Sequence, residues 1–146
     1  MGPMGLVQVA QRALDLDRAA AFYTDLLGSP PTARFDPPGL LFFDLDGVRL
    51  LLDVNAPSAL VYLRVDDVAA TVERLRGRGV VVESEPHVIF RHEDDTLGPA
   101  GTDEWHAFVR DSEGNLIPNW VQVHGWKPPK KAVSIRPNAL SVMWSV

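Results

Sequence analysis

Four histidines, His87, His92, His106 and His124, all fall in the second half of this chain of 146 residues. Neutral imidazole is the commonest metal ligand, and three of these side chains together could hold an ion. Their settings favour a plainer reading. His87 and His92 flank an irregular loop and read as solvated, and His106 falls in a strand of which one face is core. Between them, Arg91-His92-Glu93-Asp94-Asp95 is a mixed charge run: a wet loop, or a lid whose Asp94 and Asp95 would draw a cationic ligand. Asp15 with Asp17, and Asp66 with Asp67, are better explained as charges at helix starts than as paired catalytic carboxylates. Cysteine is absent, so there is no thiolate nucleophile, thiolate metal site or disulfide. No glycine-rich phosphate loop and no G-x-S-x-G elbow occurs.

The elements that must carry these side chains come in a repeated order. An apolar strand over Leu6–Ala13 runs into Asp15, placed to cap a helix with apolar residues at Leu16, Ala19, Ala20, Tyr23, Leu26 and Leu27. Gly28 is placed to end that helix. A proline-rich connection follows, with room for a short edge strand at Ala33–Phe35. LLFFDLDGVRLLLDV reads as a hairpin turning at Asp46-Gly47, with Phe42 and Phe43 on opposite faces. After Asn55-Ala56-Pro57 the order restarts. SALVYLRV is a strand, and Asp66 or Asp67 caps a helix through Val68, Val72 and Leu75 that ends near Gly77–Gly79. VVVESEPHVIF gives one or two strands, RHEDDTLGPAGTDE a polar loop, and EWHAFVRDSEGNLIPNWVQV a second hairpin turning at Ser112–Asn115. A repeat of about 55–60 residues could be a solenoid unit, but two copies are too few to stack. Two βαβββ modules, residues 6–54 and 58–123, paired into one curved mixed sheet fit better. Helices on one face would leave a concave cup free to hold something.

Composition bounds the rest. With 46% hydrophobic and 23% charged residues, a single domain over residues 1–125 has enough apolar matter for a core. No apolar run approaches the ~20 residues of a membrane span, and the N-terminus lacks the layout of a secretory signal. The default expectation is therefore a cytoplasmic protein with no membrane partner. A net charge of −5 argues against nucleic acid. All three lysines follow Gly125 and no Asp or Glu follows Glu113, so residues 126–146 form a basic appendage, disordered or packed on a partner.

DLDRAAAFYTDLLG, VDDVAATVERLRGRGV and WHAFVRDSEGNLI, in that order and with the internal repeat, resemble the vicinal oxygen chelate superfamily: glyoxalases, bleomycin-resistance proteins and extradiol dioxygenases. The last motif carries Ser112 where the family usually has proline. The resemblance covers Leu6 to Val123 and implies an α+β, glyoxalase/bleomycin-resistance-like fold, a homodimer, and in the enzymes a divalent metal in the cup. Carried over residue by residue, the metal positions fall on Gln8, Leu51, Leu60 and Pro118. Only Gln8 can ligate, and three apolar side chains cannot hold a divalent ion. A register slip of one residue brings in Val9, Leu50 or Leu52, Ala59 or Val61, and Ile117 or Asn119, which restore nothing. A slip of two brings in only Asp53 and Tyr62.

A cup without metal ligands is similar to the drug-sequestering branch, whose members hold an aromatic, often cationic molecule between two subunits. The expected ligand-binding residues are Gln8, Leu51, Leu60, Tyr62, Trp105, Pro118 and Trp120. Tyr62 shares strand parity with Leu60, Arg64 lies further along that face, and the two indoles offer flat contact surface. The expected function is a metal-independent small-molecule binder with no cofactor. The alternative is a metal-dependent lyase, isomerase or dioxygenase of the glyoxalase-like class, using ligands elsewhere.

Overall fold

A computed structural model describes residues 4–124, with side chains to Val121. The basic appendage at 126–146 lies outside the described residues. The chain divides into two compact units. Unit 1 runs to Ala59 and takes in Ser112–Asn115, and unit 2 holds Leu60–Asp111 and the chain from Leu116.

Unit 1 is β1 (Gln8–Arg12), α1 (Leu16–Leu27), β2 (Ala33–Phe35), β3 (Leu40–Leu45) and β4 (Val48–Asp53). Its sheet order is β1-β4-β3-β2, with β1 parallel to β4 and the other pairs antiparallel. α1 forms where the apolar stripe predicts it. The Asp15 carboxylate accepts the Arg18 N–H at 3.0 Å, and Gly28 closes the helix in the left-handed region (φ 77°) with its N–H on the Thr24 carbonyl. Leu16, Ala19 and Tyr23 are buried, and Tyr23 meets Phe43 ring to ring at 6.1 Å. Phe43 pairs with Leu50 and Leu41 with Leu52, and these four leucine and phenylalanine side chains fill the face under α1. The β3–β4 turn has positive φ at Asp46 (52°) and Gly47 (88°), as a two-residue hairpin requires. β1 begins later than the apolar run predicts, because Leu6 and Val7 are exposed and bury nothing.

Three polar side chains hold unit 1 together. Gln11, fully buried, donates to the Ala59 carbonyl at 2.8 Å and accepts the Ala59 N–H at 2.7 Å, as a strand neighbour would. The Asn115 amide donates to the Arg12 carbonyl at 2.7 Å. Glu113, whose side chain has no exposed surface, accepts the backbone N–H groups of Leu14 and Asp15 at 2.8 Å, the Arg18 guanidinium at 2.7 Å and the Ser112 hydroxyl at 3.0 Å. A carboxylate there also faces the positive end of the α1 dipole.

Unit 2 is β5 (Leu63–Arg64), α2 (Val68–Gly77), β6 (Val82–Arg91), β7 (Thr102–Arg110) and β8 (Leu116–His124), in the order β5-β8-β7-β6. β5 is two residues long, where SALVYLRV suggested a full strand; residues 58–62 form no ladder. Asp67 is the cap of α2, its carboxylate on the Ala70 N–H at 3.0 Å. The helix packs Val68 and Val72 onto Trp105, Ala107 and Val121 of the sheet. VVVESEPHVIF becomes one strand, β6, interrupted by register shifts.

Burial alone would raise the Glu113 carboxyl, but the hydrogen bonds from Arg18, Asp15, Ser112 and Leu14 outweigh it and hold its pKa at about 2, against 4.5 for the free group. A depressed carboxyl contributes stability that is complete above pH 4.5 and is lost as pH falls towards 2. Glu113→Gln is expected to cost about 2 kcal/mol at pH 7 in urea denaturation, and to lose less further stability than the wild type below pH 4.5. An unchanged profile would show that the carboxylate does not hold this end of α1.

Candidate functional site

In a strand, successive side chains point to opposite faces, and residues paired across a ladder share a face. In unit 2 the core under α2 fixes which face is which. Trp105, Ala107 and Val121 lie beneath the helix with Val88. Glu104, His106 and Phe108 of β7 therefore lie on the face turned from α2, with their β8 partners Trp120 (opposite His106) and Pro118 (opposite Phe108).

β6 reaches that face by breaking its own alternation. Its register shifts lie between Val82 and Ser84, between Ser84 and His87, and between Val88 and Phe90. The middle one contains Pro86, which has no N–H to give a ladder. As a result Ser84 and His87 are both carried to the face opposite α2, across from Phe108 and His106 respectively, and Phe90 is carried there across from Glu104.

The side chains assembled there are aromatic and polar. His106 packs edge-on against Tyr62 (centroids 5.7 Å) and lies 6.2 Å from Phe108, which is also 6.2 Å from His87. The Trp120 indole N–H donates to the Glu104 carboxylate at 2.9 Å. The other oxygen of that carboxylate lies 3.8 Å from His92 Nε2, and the His92 ring meets Phe90 at 4.8 Å. Tyr62 is 44% exposed and forms the outer side of this group. Burial, and secondarily the charge of Glu104, raises the Tyr62 phenol pKa, so it stays protonated.

The three described histidines are all buried, between 1% and 3% exposed, so His87 and His92 are not solvated as their loop setting suggested. His87 Nδ1 lies 2.6 Å from the Glu85 carbonyl, and its Nε2 has no protein partner among the described residues. Both ring nitrogens of His106 are likewise without a partner there. Burial lowers the His106 pKa to about 4, with a further contribution from His87, and burial lowers that of His87 against the opposing pull of its Glu85 bond. Both rings are neutral at pH 7. The sequence signal that could have found this pair is the proline within β6, which marks a break in alternation.

Of the seven residues expected at a ligand, Trp120, Pro118 and Tyr62 belong with this group. Trp105 does not. Odd parity on β7 puts it under α2, 7% exposed, as a core side chain. Leu60 lies before β5, outside any strand. Gln8 and Leu51 belong to unit 1, on the face of its sheet turned from α1, where Arg49 lies over the Phe42 ring at 5.8 Å. The acidic loop is tied to itself: Asp94 accepts the Thr96 N–H, Asp95 the Ala100 N–H, and Arg91 pairs with Asp103.

A divalent metal of the kind the superfamily's enzymes use does not fit these residues. The positions carried over from the family offer one amide, at Gln8, and no imidazole or carboxylate. Among the described residues no group of three or more His, Cys, Asp or Glu could hold a metal ion. Among them, too, no helix is long and apolar enough to cross a membrane.

Comparison with known proteins agrees with the architecture. The chain superposes on a lactoylglutathione lyase from Agrobacterium tumefaciens with a TM-score of 0.58 at 24% identity, covering 82% of this chain and 94% of that one. It superposes on a glyoxalase/bleomycin resistance protein/dioxygenase from Nocardioides with a TM-score of 0.59 at 21% identity (89% and 91% covered), and on one from Alicyclobacillus acidocaldarius at 0.57 and 20% (82% and 92% covered). At these identities the likeness shows the fold. No curated protein matches by sequence. The family model of the glyoxalase/bleomycin resistance protein/dioxygenase superfamily matches residues 5–118, most of the chain, and the chain belongs to that superfamily.

Proposed function

We propose that this chain is a metal-independent small-molecule binder whose ligand seats on the face of the unit 2 sheet opposite α2. The observation that carries the reading is His106. Its two ring nitrogens are buried among Tyr62, Phe108 and Trp120 with no protein partner among the described residues. A buried polar group left unpaired costs about 1–3 kcal/mol, so a native structure keeps one where something else satisfies it. Aromatic rings around a few polar atoms are the usual lining of a site for a flat organic molecule. The apolar residues at Leu51, Leu60 and Pro118 support binding over metal-assisted catalysis, because Lewis-acid chemistry needs donors that these side chains lack.

A thermal-shift panel tests this. Planar aromatic compounds, neutral and cationic, are compared with Ni2+, Zn2+, Mn2+ and Fe2+. A compound that binds the native state at a hundredfold excess over Kd adds about 2.7 kcal/mol, which for a chain of this size is a shift of several degrees. The expected result is stabilisation by at least one aromatic compound, reduced in Trp120→Ala and Tyr62→Ala. Stabilisation by a metal alone would replace this reading with the metal-dependent enzyme.

The neutral imidazoles also set a pH dependence. A histidine whose pKa is lowered on folding binds its proton more readily when unfolded. Its contribution is complete above pH 6.5 and is lost as pH falls towards 4, by about 1.4 kcal/mol per unit of pH. Urea midpoints are expected to fall across that window, above the range in which Glu113 acts, and His106→Phe should flatten the fall. A His106→Phe protein with the full wild-type slope would remove His106 as its cause.

A further inference from the structure

The same two imidazoles constrain the chemistry of what they bind, and the constraint rests on the binding site proposed above. A carbonyl oxygen only accepts, so the close contact of His87 Nδ1 with the Glu85 carbonyl, 2.6 Å, places the proton on Nδ1. The Ser84 hydroxyl, 3.4 Å from the same nitrogen, is a weaker second neighbour. In a neutral ring Nε2 is then a bare lone pair, buried and without a protein partner among the described residues. His106, also neutral, offers one N–H and one lone pair, equally unpartnered. Directly opposite each other on β6 and β7, the two rings therefore present two acceptors and one donor.

We infer that the polar end of the ligand is an uncharged hydrogen-bond donor, an amide, urea or hydroxyl group, which gives its N–H or O–H to His87 Nε2 and meets His106 with its remaining polar atoms. A carboxylate, phosphate or other oxyanion carries only lone pairs. It can be met at the single N–H of His106 and opposes the lone pairs of both rings. Glu104, held by the Trp120 N–H on the same face, adds a negative charge that also disfavours an anion. An amide has both a donor and an acceptor, and its flat body suits the surrounding rings. Tyr62, packed edge-on against His106, is 44% exposed and belongs to the stretch before β5 that forms no sheet ladder.

The test uses the full chain labelled with 15N in its histidine rings, and three small aromatic probes that differ in one polar group: benzamide, phenol and benzoate. Long-range 1H–15N spectra at pH 7.5 report tautomer and hydrogen bonding at each ring nitrogen, while the Trp120 indole and Tyr62 ring signals report binding on the face as a whole. The expected result is a proton on Nδ1 of His87 in the free protein, with benzamide and phenol shifting His87 Nε2 and the His106 nitrogens. Benzoate is expected to bind more weakly by about tenfold or more. Benzoate perturbing these nitrogens as strongly as benzamide would overturn the inference. So would donor probes that move Trp120 and Tyr62 but neither imidazole, an outcome that leaves the binder reading standing. Zn2+ shifting both imidazoles would overturn it by showing the lone pairs to be metal ligands. If none of the three probes moves any of these signals, the binder reading falls together with the inference.

Discussion

The two-residue period of a β-strand, acting under a single covering helix, governs most of what this molecule can do. Each unit has four strands and one helix, so each sheet has one face buried beneath that helix and one face turned from it. Every side chain is assigned to one or the other by parity. In unit 2 parity sends Trp105 and Ala107 under α2, and sends Glu104, His106 and Phe108 to the other face. A strictly alternating β6 could not present both Ser84 and His87 to that second face. The register shifts around Pro86 do so, at the expense of ladder hydrogen bonds. A ten-residue strand that breaks its alternation to place a histidine against a histidine makes little sense as core packing, where an apolar pair would fill the space without unpaired nitrogens.

The buried polar groups of unit 1 and the two facing imidazoles of unit 2 differ in how they are hydrogen-bonded. Gln11, Asn115 and Glu113 in unit 1 are embedded in backbone hydrogen bonds, and each closes a gap that secondary structure leaves. Glu113 in particular accepts the N–H of the cap residue Asp15 and that of Leu14 just before it, while the Asp15 carboxylate serves the Arg18 N–H within the first turn. These side chains do for the backbone what the backbone cannot do for itself, and nothing about them asks for a ligand. His87 and His106 are just as buried, yet three of their four ring nitrogens have no protein partner among the described residues. By the accounting that explains every polar group in the first set, the second set is incomplete.

Much of the scaffold was legible in the sequence because it is written locally. Asp15, Asp67, Gly28 and Asp46-Gly47 act within three or four residues of themselves, and a cap or a tight turn needs no distant partner to be recognised. The short edge strand at Ala33–Phe35 follows from the prolines around it. What was not legible depends on counting through an irregularity or on contacts far apart in the chain. The placement of His87 requires knowing where β6 slips. The role of Glu113 requires bringing a hairpin turn to a helix start nearly a hundred residues earlier, and the turn residues Ser112–Asn115 announce only the turn. Trp105 and Trp120 looked alike as candidate ligand contacts. Fifteen residues and one hairpin turn apart, they lie on opposite faces, because Trp105 pairs with Val121 and Trp120 with His106.

Membership of the superfamily speaks for the fold, and the chemistry has to be read from the residues present. The fold supplies a sheet face free of the covering helix, and that face needs only the alternation of strands to exist. A metal needs particular donors at particular positions, and Leu51, Leu60 and Pro118 provide none. Apolar side chains weaken ion binding and favour contact with a hydrophobic ring. The proposed seat on the unit 2 sheet therefore draws on what alternation and its interruption place there: aromatic rings, and two neutral imidazoles that the register shifts of β6 set opposite each other.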